Sequence, residues 1–167
     1  MHILNLLRSP ARLFHMSDEA WRRHANPWSV WTRFAAIPAM IAAVWSRVWI
    51  GWWALLPVAV VIGWLIINPH IFSPVGPQTW PARGIYGEKL WWQARDRIPV
   101  AYRRALRLLI LPGVVGLVLL GAGLLELALW PTLLGATLIV LTQLWRIDRL
   151  GRLYDEIHAA RSQQDGG

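Results

Sequence analysis

The sequence predicts an all-α integral membrane protein: four helices built as two helical hairpins, with short amphipathic interface helices on the cytoplasmic side. Three observations carry this. Of 167 residues, 56% are hydrophobic, more apolar surface than a soluble domain of this length needs. The apolar residues fall into four blocks, 34–46, 49–67, 106–125 and 127–145, and the charges lie almost entirely outside them. There are 13 tryptophans against 3 phenylalanines, and tryptophan favours the membrane–water boundary, where its ring is half apolar and its N–H stays wet.

The elements follow in order within one membrane domain, 1–167. Residues 1–26 read as a cytoplasmic interface segment, in which "SDEAWRRHA" forms a short helix. Ser17 caps it, and Asp18 and Glu19 sit in its positive first turn. The first hairpin spans 27–68. Its opening apolar block is too short to cross a bilayer, which takes about 20 helical residues, but "HANPWSVWTR" (24–33) supplies the missing turns. Asn26 is a good N-cap, a role Asp or Ser would fill equally, and Pro27 fits the first helical position. Trp28 and Trp31 anchor the helix in the headgroup layer, and Arg33 snorkels back to phosphate. Pro38 kinks the span.

Residues 69–98 form a cytoplasmic loop. "SPVGPQTWPARG" reads as irregular. "YGEKLWWQARDRI" reads as an interface helix anchored by Trp91 and Trp92. The second hairpin spans 99–146. The tail, 147–167, continues the last helix into the cytosol and frays from Gln163. Arg33, Pro38 and Pro57 recur at one interval as Arg107, Pro112 and Pro131, which suggests a parallel repeat.

Basic residues set the orientation. They crowd the N-terminal segment (Arg8, Arg12, Arg22, Arg23), the central loop (Arg83 to Arg107) and the tail, whereas Arg47 alone lies in a short connection. The positive-inside rule therefore places both termini and the central loop in the cytoplasm of an inner, multi-pass membrane protein. The net charge is +8 and Lys89 is the only lysine; this arginine bias points to a GC-rich, bacterial source. Because the arginines flank apolar segments, their expected partner is anionic lipid headgroups and not nucleic acid. Cysteine is absent, which excludes disulfides and thiolate metal sites. No secretory leader is expected.

Candidate site residues cluster at the inner face. His24 and Asn26 precede the first span, and Asn68 and His70 follow the second. A short outer turn returns these ends to one side, beside Arg33. That set suits an anion better than a metal, since structural metals want three or four ligands and no carboxylate is near in sequence. Helix capping and boundary placement account for the same residues more simply. No catalytic residues, metal ligands or cofactor motif can be assigned: nucleotide-binding, Ser–His–Asp and zinc-hydrolase patterns are absent. Ala35, Ala39 and Ala43 form a small-residue stripe for helix packing or a homo-oligomer face.

The run "WRRHANPWSVWTRF", with "WIGWWALLPVA" and "NPHIFSPV" after it, resembles a family of small prokaryotic four-span membrane proteins classed as a domain of unknown function. The resemblance covers the first half best. It implies the membrane class and supplies no catalytic residue, but it marks His24, Asn26, Pro27, Trp28, Arg33, Asn68, Pro69 and His70 as recognisable positions. The expected function is a non-enzymatic module that binds anionic lipid or a membrane protein partner. The alternative is a small lipid-modifying or metal-dependent membrane enzyme using the His/Asn/Arg cluster.

Overall fold

The computed structural model describes residues 17–95 and 98–165, all helix and connecting turns without a strand. The N-terminal stretch with Arg8 and Arg12, and Arg97 in the central loop, lie outside the described residues. Helix α1 covers Asp18–His24; the Ser17 hydroxyl accepts from the Ala20 N–H, and Asp18 and Glu19 occupy the first turn. Helix α2 covers Pro27–Trp45, with the Asn26 side chain accepting from the Trp28 N–H. Helix α3, Arg47–Ile50, and a 3₁₀ turn, Gly51–Ala54, reverse the chain. Gly51 sits at φ +55°, where a Cβ would be strained. Helix α4 covers Leu55–Ile71 and returns along α2.

Helix α5 covers Trp80–Gln93, α6 Val100–Leu108 and α7 Ile110–Glu126. Leu127 turns through a left-handed conformation, φ 54°, into α8, Leu129–Asp165. At about 1.5 Å per residue, α8's 37 residues reach roughly 55 Å, nearly twice a bilayer core of about 30 Å. It contacts α7 with its first half and α5 with its second.

The two hairpins are held by different chemistry. In the first, the polar trio Ser29, Thr32 and Asn68 joins α2 to α4. In the second, glycines let backbones meet. A Cβ added at Gly116 would lie 3.0 Å from the Gly135 carbonyl oxygen, and one at Gly123 would lie 2.5 Å from the Thr132 nitrogen. The hairpins are tied at their turn ends by Arg47, whose Nη2 donates to the Leu124 carbonyl at 2.8 Å. This satisfies one of the carbonyls a helix end leaves open. The buried core lies at the opposite end, in two clusters. Trp21, Val30 and Ile85 meet Ile147; Ile98, Leu106 and Leu109 meet Leu150 and Leu153.

Two stretches are long and apolar enough to cross a membrane, Pro27–Ile71 and Val100–Glu126. The first folds back on itself at α3, so it supplies both α2 and α4. Helix α8 is not among these stretches. Large side chains such as Leu56, Val60, Ile66, Leu111, Leu117 and Val118 are exposed along α4 and α7.

Several boundaries differ from expectation. Asn68-Pro69 does not end the first hairpin, because Pro69 is accommodated in the last turn of a helix running to Ile71. Helix α5 begins inside the stretch read as irregular. Thr79 caps it through Ala82 N–H, with Pro81 in the first turn. Helix α5 docks on α8 through Gly84 and Gly87. The tail remains helical through Asp165 and does not fray at Gln163.

The α5–α8 contact predicts opposite outcomes for two glycines. A Cβ at Gly87 would run into the Leu150 carbonyl oxygen, while one at Gly121 meets nothing within 4 Å. Gly87→Ala should destabilise by about 1–3 kcal/mol, as overpacking does, and lower the unfolding midpoint in detergent. Gly121→Ala should leave it unchanged or raise it slightly. Equal midpoints for the two variants would contradict this packing.

Candidate functional site

Helices α1, α2, α5 and α8 line a half-open cavity of about 310 Å³. Its walls are apolar: Val30, Phe34 and Ile37 from α2, Ile85 from α5, and Ile139, Ile147 and Leu150 from α8. Its polar lining is His24, Arg33, Glu88, Gln143 and Arg146. Such a mixture, mostly hydrophobic with a few convergent polar groups, is the usual composition of a small-molecule site.

Arg33 is held at three points. Its Nε donates to the Ser29 carbonyl at 3.0 Å, Nη2 to the His24 carbonyl at 3.3 Å, and Nη1 to His24 Nε2 at 2.8 Å. The guanidinium thus folds over the start of α2 and lines the cavity, instead of snorkelling outward. Among the described residues its hydrogen bonds and ion pairs include no carboxylate. Three of its five N–H donors are used, which leaves two.

His24 is neutral by consequence. Burial pushes its pKa down to about 3, with the charges of Arg33 and His70 adding to the effect. Arginine can only donate, so Nε2 accepts and Nδ1 carries the proton. Nδ1 is buried and has no hydrogen-bond partner among the described residues. Across the cavity, Arg146 Nη2 pairs with Glu88 Oε1 at 2.6 Å.

The five sequence candidates divide. His24 and Arg33 line the cavity; the other three do not. Asn26 is a double connector: Oδ1 accepts from the Trp28 N–H, and Nδ2 donates to the Ser73 carbonyl at 3.0 Å. Asn68 is fully buried. Its Oδ1 accepts from Ser29 Oγ at 2.7 Å and its Nδ2 donates to Thr32 Oγ1 at 2.8 Å. The His70 side chain is exposed, and its carbonyl accepts from Arg23 Nη1. Glu88, Gln143 and Arg146 escape sequence reasoning, because Glu88 and Arg146 are 58 residues apart and nothing local links them.

The tryptophan anchors also differ from one another. Trp28 and Trp92 are well exposed, at 70% and 51%. Trp31 stacks on Trp80 at 6.3 Å. Trp91 instead packs against the Ile98–Leu153 cluster, with the Arg95 guanidinium over its ring. Of the alanine stripe, Ala35 and Ala39 are exposed and Ala43 is buried. Among the described residues, no three His, Cys, Asp or Glu side chains group as a metal would require.

The chain belongs to DUF6653, a family of unknown function, whose model matches residues 8–167. No curated protein and no solved structure matches it.

Because Asn26 makes two bonds, its replacements should not be equivalent. Asn26→Ala should cost about 2 kcal/mol, a cap and a hydrogen bond together. Asn26→Asp keeps the cap but sets a carboxylate against the Ser73 carbonyl. It should therefore be nearly as damaging, contrary to the simple capping expectation. Unfolding midpoints of the two variants decide the matter, and a wild-type midpoint for Asn26→Asp would rule out the second bond.

Proposed function

We propose that this protein is a four-span inner-membrane module with both termini cytoplasmic, and that its cavity binds the headgroup of an anionic lipid. One observation carries the reading: two arginines line one largely apolar cavity, and one of them, Arg33, has no hydrogen bond or ion pair to a carboxylate among the described residues. Arg33 and Arg146 contribute two positive charges, Glu88 one negative charge and His24 none, so one positive charge is left over. The buried Nδ1–H of His24 would satisfy a ligand oxygen, since a buried donor left unpaired is costly.

Supporting the membrane assignment, α4 and α7 each expose a run of large apolar side chains, more than the singly scattered ones that are normal on a soluble surface. Apart from Arg47, the arginines among the described residues gather at the end opposite Trp49, Trp52 and Trp130. In this reading α8 is the fourth span, and its charged second half is the cytoplasmic platform for α5. The chain has no cysteine, so single-cysteine labelling is free of background. Ser73→Cys and Ser162→Cys should react only from the cytoplasmic side and Trp52→Cys only from outside. Labelling of either serine position from outside would overturn the topology.

Binding, and not catalysis, is favoured because the cavity offers no free base. The His24 Nε2 lone pair is taken by Arg33, and Glu88 is held by Arg146. The metal-dependent alternative has no three-ligand group to support it among the described residues. The test is lipid retention by the purified chain, anionic against zwitterionic. Arg33→Gln and Arg146→Gln should each lower the anionic preference about tenfold, the equivalent of one charge-assisted bond. Arg33→Lys should restore only part of it, because the planar fork is lost. A wild-type chain without anionic preference, or one insensitive to both Gln variants, would sink the proposal.

A further inference from the structure

We infer that the lipid is a two-chain one and that it straddles α8, with one chain in the cavity at Arg33 and the other in a neighbouring groove. This rests on the headgroup reading above and extends it. The second groove, about 330 Å³, lies between α6–α7 and α8. It shares Ile139, Gln143 and Arg146 with the first cavity. Those three residues stand at i, i+4 and i+7, so they form one ridge along a single helical face, and the two spaces flank it.

Polarity runs the same way on both sides. Arg146 marks the charged end, and Ile139 lies roughly 10 Å deeper by helical rise. Apart from Gln143, Thr142 and the shared Arg146, the second groove is lined by apolar residues, so it holds no headgroup site of its own. Arg146 therefore serves two apolar grooves of nearly equal volume; a third, about 270 Å³, borders Arg33 on the other side of α2 and does not include Arg146. A single headgroup carrying two chains has that shape. A one-chain amphiphile would leave a groove bare, and a free phosphate would leave both. The single uncompensated positive charge matches a phosphodiester, which carries one negative charge.

Gly113 keeps the second groove open. A Cβ there would only touch Thr142 Cγ2, at 3.4 Å, so a larger side chain can be introduced without a backbone clash. Val114, half exposed on the outer flank of the groove, offers a second route to fill it.

The experiment is native mass spectrometry of the full-length chain in detergent, titrated with dioleoyl phosphatidylglycerol, its one-chain lyso form and glycerol phosphate. Wild type should hold the two-chain lipid at least about tenfold more tightly than the lyso form, because the second chain adds van der Waals contacts along the second groove. Glycerol phosphate should bind far more weakly than either. Gly113→Leu and Val114→Trp should each bring the two-chain lipid down to the lyso level and leave the lyso form unchanged. Thermal unfolding checks that both variants are folded, and either one suffices. Persistence of the two-chain preference in the folded variants, or its absence in wild type, overturns the inference. If Arg33→Gln still weakens both lipids, only the second groove has failed. If Arg33→Gln changes neither, or glycerol phosphate binds as well as the lipids, the headgroup reading has failed as well.

Discussion

The polar end of the molecule depends on how closely α5 lies on α8. Small residues at a helix–helix contact let the two backbones approach closely, so that more atoms meet at van der Waals distance. Gly84 and Gly87 do this against Ile147 and Leu150. The approach sets Ile85 as a cavity wall and puts Glu88 within 2.6 Å of Arg146. It also places Tyr86 where its hydroxyl donates to the Val75 carbonyl, while the Val75 N–H donates to the Arg22 carbonyl. The 72–79 connection is thereby tied to both α1 and α5. Without those glycines, the cavity would lose a wall and Arg146 would lose its partner.

Charge placement follows from this packing. A buried charge is tolerated only when it is paired or richly hydrogen-bonded. Arg146 meets that condition with Glu88; Arg33 meets it with two carbonyls and a neutral imidazole. Two arginines thus share one carboxylate in the cavity lining, which leaves one formal positive charge over. An anion between the two guanidiniums would balance it. The depressed pKa of His24 belongs to the same picture. A proton on that ring would face Arg33 and be stripped of water, so the ring serves as a fixed acceptor for the arginine.

Local features were legible in the sequence; long-range ones were not. The Ser17 and Asn26 caps are read from residues two or three positions apart, and the structure places both side chains on the backbone N–H groups ahead of them. The start of α5 could have been read too: Thr79 followed by Pro81 is a helix-start pattern, outweighed by the surrounding turn residues. Asn68 before proline looks like a helix stop. Its burial against Ser29 and Thr32 depends on the fold-back of α4, which composition alone does not specify. Within the candidate site, His24 and Arg33 were within reach because they share one short segment. Glu88, Gln143 and Arg146 were not, because their convergence comes from the α5–α8 glycine contact.

The account turns on what occupies the cavity between Arg33 and Arg146. A cryo-electron microscopy map of the protein in nanodiscs containing anionic phospholipid tests this most directly. It should show headgroup density within hydrogen-bond distance of both guanidiniums, with chain density running along the Ile139 side of α8. A cavity filled only by water or by rearranged side chains, with ordered lipid confined to the outer surfaces of α4 and α7, would contradict it.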